Sequence, residues 1–413
     1  MRKRLFSLLC MLALLLPSCP ASASTVKSRH TSDYFSTVSA LFLYTDDNEA
    51  FEQAWTLVKQ TLEQIQAAVS LSDPASDLSR FNRLRYGESC SVGDITAAVF
   101  QTALAAYNAT DGLYDPTVYP LVDLWGFSPR FNQNVYAPTQ PYDRAYENGK
   151  LPLPDERYIQ AFQKLTGLDG IELSGSAEAG WTLRKNIPPV SVEEAVFQAQ
   201  LDLGGIAKGY ACDLITQLLR EHGFTQGHFV CGGSSISLLG APDGDYALTL
   251  SKPRSGDSAE SYYATVYASD TTLSTSSDAN HTYLADGVIY CHIIDPRTGY
   301  PINMPQEGAP QRGVATVTLL GPSAAYNDAL STALCVMGPA RAVAYVNAFL
   351  QDQPIAMVFY ETGQPFSEVF TNLPSSACVL EDAAYRPASR LTESGEAEYI
   401  GSLFSQELKE GIK

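Results

Sequence analysis

The chain has 413 residues, of which 45% are hydrophobic, and its formal net charge at pH 7 is −18. This length and apolar content suffice for a sizeable core, in one large domain or two closely joined lobes. So acidic a chain argues against nucleic-acid binding, because a phosphate backbone would be repelled rather than neutralised.

Residues 1–23 have the pattern of a targeting segment. Three basic residues follow Met1, and the apolar run of about a dozen residues after them is too short to span a bilayer. Leu16-Pro17-Ser18-Cys19 resembles a bacterial lipobox, which favours a lipid anchor on Cys19 and attachment to a membrane. Ala21-Ser22-Ala23 offers an ordinary cleavage site instead. Both alternatives predict an exported protein.

Hydrophobic periodicity, caps and turn residues predict the secondary structure in chain order. The predicted elements are a strand at 40–44, a helix at 48–69, a loop at 71–86, a helix at 96–110, a surface insertion near 128–158, a helix at 207–222, strands at 227–231, 235–239, 246–251, 263–268 and 313–320, a helix from Ser323 to Gly338, a helix at 340–349 and a strand at 355–360.

Hairpin-like strand pairs alternate with helices in this order, which predicts an α+β fold with mixed, largely antiparallel sheets and packed helices. We expect the main domain to cover residues 31–385. The charged segment 386–413 is expected to form a terminal helix or a peripheral extension.

Six cysteines remain beyond Cys19, and they are spread widely without a CxxC pair. This spacing argues against a zinc site or dithiol redox chemistry. Several lie in apolar runs, so we expect buried small hydrophobic residues, although a disulfide stays possible in an exported protein. The six are Cys90, Cys212, Cys231, Cys291, Cys335 and Cys378.

Two distant segments carry the residues that suggest chemistry. The run from Leu201 to Asp213 joins a strand to a helix through two glycines and places Lys208 just inside that helix. Far downstream, Asp328 and Thr332 are four residues apart, so their oxygens share one helix face. A lysine near a glycine-rich turn and a carboxylate–hydroxyl pair suit a phosphate-rich ligand that binds Mg²⁺.

Five motifs, in this order, resemble those of the ApbE-type FAD:protein FMN transferases. Together they are highly specific, although each alone would be weak. They are Asp111-Gly-Leu-Tyr-Asp-Pro-Thr117 with Pro120-Leu-Val-Asp-Leu-Trp-Gly-Phe127, Asp202-Leu-Gly-Gly-Ile-Ala-Lys-Gly-Tyr210, Thr275-Ser276, His292-Ile-Ile-Asp-Pro-Arg-Thr-Gly299 and Asp328-Ala-Leu-Ser-Thr332.

The resemblance implies a T-fold-related, two-lobed single domain that takes FAD as its substrate. It also implies Mg²⁺, or Mn²⁺, and transfer of FMN to a Thr or Ser hydroxyl of an exported acceptor flavoprotein, with release of AMP. The metal ligands carried over from the family are Gly205 through its carbonyl, Asp328, Ser331 and Thr332. The flavin-nucleotide contacts carried over are Phe35, Leu113, Tyr114, Asp115, Asp202, Lys208, Ile294 and Asp295.

His292 is the candidate general base for the incoming hydroxyl, since an imidazole titrates near neutral pH. Cleavage of a pyrophosphate requires charge neutralisation and an oxygen nucleophile aimed in line, which the other residues would support. Each residue alone has a structural explanation as well: Asp328 could complement a helix dipole, Lys208 could be a surface lysine, and His292 could be a structural histidine. Their joint occurrence favours the functional interpretation.

Two other functions are compatible with the same residues. Water could replace the protein hydroxyl, which would make the chain a metal-dependent FAD pyrophosphatase. Alternatively, the chain could be a lipoprotein that stores FAD without turning it over. The predicted metal ligands favour turnover over storage, because cleavage is what needs neutralised phosphates.

Overall fold

The computed structural model describes residues 25–131, 139–145, 151–253, 262–279, 281–285, 288–302, 312–361, 364–391 and 397–399. The targeting segment predicted at 1–23 lies outside these ranges. Within them, every helix falls short of the length and apolarity that a membrane span requires.

All five predicted helices are found, with ends within three residues of the predicted ones, and three shorter helices that were not predicted occur as well among the described residues. In chain order, the helices are α1 (Asn48–Val69), α2 (Asp77–Asn82), α3 (Asp94–Ala109), α4 (Tyr119–Trp125), α5 (Glu156–Gln163), α6 (Gly204–Glu221), α7 (Ala324–Met337) and α8 (Pro339–Phe349). The three that were not predicted are α2, α4 and α5.

The strands include all those predicted and many short ones besides. They are β1 (Val26–Thr31), β2 (Ser39–Tyr44), β3 (Ser89–Val92), β4 (Ile171–Ser176), β5 (Gly180–Lys185), β6 (Val190–Val192), β7 (Ala195–Phe197), β8 (Gly227–Cys231), β9 (Ser235–Leu238), β10 (Tyr246–Ser251), β11 (Tyr262–Ala268), β12 (Thr272–Ser277), β13 (Thr282–Ala285), β14 (Val288–Cys291), β15 (Ile294–Asp295), β16 (Tyr300–Pro301), β17 (Arg312–Gly321), β18 (Ile355–Glu361), β19 (Ser367–Thr371), β20 (Cys378–Leu380), β21 (Tyr385–Pro387), β22 (Ser389–Leu391) and β23 (Ala397–Tyr399).

Among the described residues, the largest sheet has nine strands in the order β1-β2-β8-β9-β12-β17-β18-β19-β21. Adjacent strands in this sheet are antiparallel to each other, except that β19 and β21 are parallel. The smaller sheets are antiparallel ribbons such as β10-β11-β20 and β3-β5-β4. The α+β prediction with mixed, largely antiparallel sheets is therefore confirmed.

Helices α6 and α7 pack against each other and connect this sheet to the rest of the core. Helix α6 also contacts α1, whereas α7 lies on β12 and β17. All residues of α7 are fully buried except Tyr326 and Thr332, which are half-buried. Because α7 is covered on nearly every side, its polar residues must find partners inside the protein.

Three features differ from the predictions or refine them. The predicted loop at 71–86 contains α2, a six-residue helix that begins where the Ser76 hydroxyl accepts a bond from the N–H of Ser79. So short a helix shows too little periodicity to be read from sequence.

In the extension after residue 386, β22 pairs with β23. The expected terminal helix is thus wrong for this described part. The six cysteines from Cys90 onward form no disulfide with one another, and all but the partly exposed Cys90 are buried, as expected.

Described parts of the predicted insertion at 128–158 are tied to the body by Arg130. Its guanidinium reaches Asp123 of α4 and Asp143, each at 2.6 Å. The Tyr142 hydroxyl donates to Asp123 at 2.6 Å as well. These buried, charge-assisted bonds hold residues 139–145 against α4. Residues 132–138 and 146–150 lie outside the described ranges.

Candidate active site

The segment that leads into α6 is fixed by a side chain from α2. The amide of Asn82 donates to the carbonyl of Leu201 at 2.9 Å and accepts from its N–H at 2.7 Å. One residue later, Asp202 accepts from the N–H of Gly204 at 2.7 Å. This bond satisfies one of the free N–H groups at the start of α6. The glycine-rich turn therefore has a defined position relative to α2.

The carboxylate of Asp328 is the centre of the site. It is 4% exposed, and its Oδ2 accepts from the N–H of Gly209 and from the hydroxyl of Ser235, each at 3.1 Å. Helices α6 and α7 and strand β9 thus meet at one carboxylate. The other carboxylate oxygen of Asp328, Oδ1, takes part in neither of these two bonds.

Gly209 permits the close approach of the two helices. A Cβ at this position would lie 2.3 Å from the carbonyl oxygen of Ala324 in α7. Backbone cannot yield as a flexible side chain does, so only glycine fits here. A glycine in a helix interior often has such a packing reason, and this is the signal from which the contact could have been found in the sequence.

Hydroxyl groups gather beside Asp328. Ser331 and Thr332 donate to the backbone carbonyl of Asp328 at 3.0 and 3.1 Å. The hydroxyl of Ser276, in β12, lies 2.8 Å from that of Ser331 and 2.9 Å from that of Thr332. The Thr275-Ser276 motif therefore meets the predicted metal ligands directly, a role for Ser276 that the sequence did not reveal.

Lys208 lies on α6 beside the hairpin turn that joins β8 to β9. Its ammonium donates to the carbonyl of Gly204 at 3.2 Å. A Cβ on Gly232, which has φ +71°, would lie 3.2 Å from Cδ of Lys208 and 3.1 Å from Oγ1 of Thr37. The turn of residues 34–37 is thus brought next to Lys208. In that turn, the N–H of Phe35 donates to Gln66 at 2.7 Å.

The hydroxyl of Tyr114 points into the same region. A Cβ on Gly205 would lie 3.9 Å from this oxygen, which is buried and has no hydrogen-bond partner among the described residues. Burial, followed by the charges of Asp328 and Asp202, raises the pKa of Tyr114, so the phenol is protonated. An unpaired buried hydroxyl is costly unless a ligand completes it.

Electrostatics favour a cation at this site. Burial raises the pKa of both Asp328 and Asp202, and the nearby charge of Lys208 lowers each. A divalent ion would stabilise the ionised forms that burial disfavours.

The donor set also fits Mg²⁺. Within the described ranges, no group of three or more His, Cys, Asp or Glu side chains is placed to hold a metal. One carboxylate and neutral oxygens would then be completed by substrate phosphate and water, which is the arrangement that Mg²⁺ favours. Asp328, Ser331, Thr332 and the carbonyl of Gly205 are compatible with such a site.

Leu113 and Asp115, two of the predicted flavin contacts, are buried close to Tyr114. Oδ1 of Asp115 accepts from the N–H of Thr117 at 2.9 Å, and Oδ2 accepts from the N–H of Gly167 at 2.8 Å. Burial raises the pKa of Asp115 to about 6. The carboxylate holds two loops together here, and its contact with FAD remains a prediction.

His292 follows β14 and lies next to a second histidine. Its ring centroid is 5.4 Å from that of His281, with the rings tilted by 69°. Ile294, two residues on, is buried, while Asp295 pairs with Arg297 at 2.7 Å. Arg297 also lies 3.5 Å from the carbonyl of Val336 in α7.

The structure therefore brings the predicted residues together in two groups that α7 connects. The residues predicted to bind phosphate and metal lie around the middle of α7, and the His292 segment contacts its last turn. Gly209 and Ser235, which hold the carboxylate, were not among the predicted site residues. The first group comprises Tyr114, Asp202, Gly205, Lys208, Asp328, Ser331 and Thr332.

Comparison with known proteins agrees with this arrangement. A protein of Vibrio cholerae serotype O1 named FAD:protein FMN transferase is 31% identical over 315 residues, which is 76% of this chain and 81% of that protein. The structure of flavin transferase ApbE from Vibrio cholerae matches with a TM-score of 0.61 at 27% identity, over 82% of this chain and 98% of that one. The apo flavinyl transferase ApbE of Pseudomonas stutzeri shares the fold, with a TM-score of 0.65 at 23% identity, over 84% and 97%. The pattern of the ApbE family matches residues 35–359, and the chain belongs to that family.

Proposed function

We propose that this chain is an FAD:protein FMN transferase that depends on Mg²⁺ or Mn²⁺. It cleaves the pyrophosphate of FAD, transfers FMN to a Thr or Ser hydroxyl of an acceptor flavoprotein and releases AMP. The observation that carries the proposal is the buried carboxylate of Asp328, which lies beside hydroxyls and a lysine and is held by two other elements. Family membership and the names of the relatives support the same activity.

A bound divalent ion would neutralise the charge on the pyrophosphate oxygens and so favour cleavage of the bond between the two phosphates. Asp328 and Thr332, with Ser331 and the carbonyl of Gly205, would hold that ion. Lys208 would bind a phosphate oxygen as a point charge. The hydroxyl of Tyr114 would donate to the nucleotide, which gives this buried group the partner that the described residues do not supply.

His292 would accept the proton of the acceptor hydroxyl as it attacks phosphorus. A neutral imidazole is suited to this role near pH 7. The half-buried ring lies next to that of the exposed His281.

We also infer that the mature protein acts outside the cytoplasm, anchored to a membrane through a lipid on Cys19. The basic start, short apolar run and lipobox-like Leu16–Cys19 support this location. The acceptor would then be an exported flavoprotein. Metabolic labelling with a fatty acid, compared between wild type and Cys19→Ala, tests the anchor: label lost in the variant is expected, whereas equal labelling contradicts it.

The function is tested by incubating the purified protein with FAD, Mg²⁺ and an exported flavoprotein fragment that carries an acceptor Thr. Covalent FMN on the fragment, detected by mass spectrometry and in-gel fluorescence, is the expected result. A fragment with the acceptor Thr replaced by Val is the matched control. Free FMN and AMP without labelled acceptor would indicate a pyrophosphatase, and intact FAD would indicate storage; either outcome overturns the proposal.

A further inference from the structure

Helix α6 carries three residues at four-residue intervals, of which the second and third contact α7 and its N-cap. Gly205, Gly209 and Asp213 are at positions i, i+4 and i+8, so they lie along one helix face. Gly205 is a proposed metal ligand, and Gly209 donates to Asp328. The third residue has no role in the proposed chemistry.

The carboxylate of Asp213 binds the start of α7. Its Oδ1 accepts from the N–H of Ala324 at 2.7 Å, and its Oδ2 accepts from the N–H of Ala325 at 3.0 Å and from the hydroxyl of Ser323 at 2.8 Å. A side chain of one helix thus satisfies N–H groups at the first turn of another. Its negative charge also complements the positive end of the α7 dipole.

Helix α7 already has a cap of its own. The hydroxyl of Ser323 accepts from the N–H of Tyr326 at 3.2 Å. Helix α7 could therefore begin at Ser323 without the additional bonds to Asp213. Their distinctive effect is to fix the rotation and depth of α7 against α6, at the point where Ala324 touches Gly209.

Asp328 lies about one turn further along α7. A small shift of the first turn would move its carboxylate away from the N–H of Gly209 and from the hydroxyl of Ser235, which lie outside α7. We propose that Asp213 is a positioning residue for the metal site, which locks α7 on α6 so that Asp328 holds its ligand geometry. This inference rests on the proposed metal-dependent function.

The test measures Mn²⁺ binding directly, by electron paramagnetic resonance of free Mn²⁺, together with the thermal unfolding midpoint. Partners that orient metal ligands typically contribute about 10–100-fold in affinity, so we expect Asp213→Ala to weaken Mn²⁺ binding by about tenfold or more. The matched control is Asp47→Ala, because Asp47 caps α1 through the N–H of Ala50 at 3.0 Å. This variant should lose stability by a similar cap effect and keep the wild-type Mn²⁺ affinity.

Asp213→Asn keeps the shape of the side chain but replaces one accepting oxygen by an amide. It is the decisive variant if Asp213→Ala does not fold, and we expect its Mn²⁺ affinity to fall by about threefold to tenfold. Wild-type affinity in a folded Asp213 variant would overturn the positioning role alone. Absence of Mn²⁺ binding in the wild type, with FAD present as well as without it, would overturn both this role and the proposed metal dependence.

Discussion

The carboxylate of Asp328 accepts a hydrogen bond from the backbone N–H of Gly209 at 3.1 Å, although 119 positions separate the two residues. The bond joins the two segments whose composition suggested phosphate chemistry. It also makes the position of the proposed ligand depend on how closely two helices pack.

Replacement of Asp328 should remove metal-dependent activity. Asp328→Asn keeps the size of the side chain but loses the charge that would hold the cation, so product formation should fall by about 10²-fold or more. The measurement is AMP release from FAD over a range of Mg²⁺ concentrations. Asp270→Asn, which removes an exposed carboxylate, is the control and should behave as wild type. Full activity in Asp328→Asn would refute the ligand role.

Gly209→Ala should destabilise the protein by overpacking. The new methyl would meet the Ala324 carbonyl at 2.3 Å, which forces the helices apart at a cost of about 1–3 kcal/mol. The free energy of unfolding in urea measures this effect. Gly205→Ala, one turn earlier in the same helix, meets only the Tyr114 hydroxyl at 3.9 Å and should unfold much as wild type. Equal stability of the two variants would contradict the close-packing argument.

His292→Ala should separate chemistry from binding. Loss of a general base lowers turnover by about 10²–10⁴-fold, whereas FAD affinity should change little. Quenching of flavin fluorescence reports binding, and labelling of the acceptor reports turnover. His281→Ala removes the exposed neighbouring ring and is the matched control, with most of the activity retained. Unchanged turnover in His292→Ala would eliminate it as the base.

His228 should make stability depend on pH. The ring is 1% exposed in β8, stacks on Phe42 at 4.5 Å and has no hydrogen-bond partner among the described residues. Burial lowers its pKa to about 4. The unfolded chain, with an ordinary pKa of about 6.5, takes up the proton first as pH falls. The free energy of unfolding therefore falls as the pH drops from about 6.5 to about 4, and the loss due to His228 is about 3 kcal/mol.

The comparison with His228→Phe isolates that effect from the carboxylates that titrate over the same range. Urea unfolding at several pH values should show a smaller loss of stability on acidification in this variant than in wild type. His30→Phe, at an exposed position in β1, is the matched control for removal of a histidine. Identical profiles for wild type and His228→Phe would contradict the assignment.

Local patterns were sufficient for elements whose residues carry their own signals. Helix α1 covers 48–69 as predicted, because a capping Asp47 and a long apolar period define it. The helix that begins after Ser323 is likewise set by its cap. Short ribbons such as β6 and β7 were missed, since three residues hold no measurable period.

Burial was harder to predict than secondary structure. Lys185 is fully buried in β5, where its ammonium donates to the carbonyl of Leu84 at 2.8 Å and lies 4.9 Å from the ring of Phe81. A lysine is normally expected at the surface. The buried position of Lys185 is favourable because backbone carbonyls at and after the end of α2 accept hydrogen bonds from its ammonium. These carbonyls are remote from Lys185 in the sequence.

The sequence by itself determined the α+β class and the long helices and suggested candidate chemical groups for the site, because periodicity, caps and residue type are local properties of the chain. Only the tertiary structure decided that Gly209 and Ser235 hold Asp328, that Ser276 joins the hydroxyl pair and that Asp213 caps α7. These contacts connect elements far apart along the chain. Their existence depends on how helices and strands pack, which no local pattern encodes.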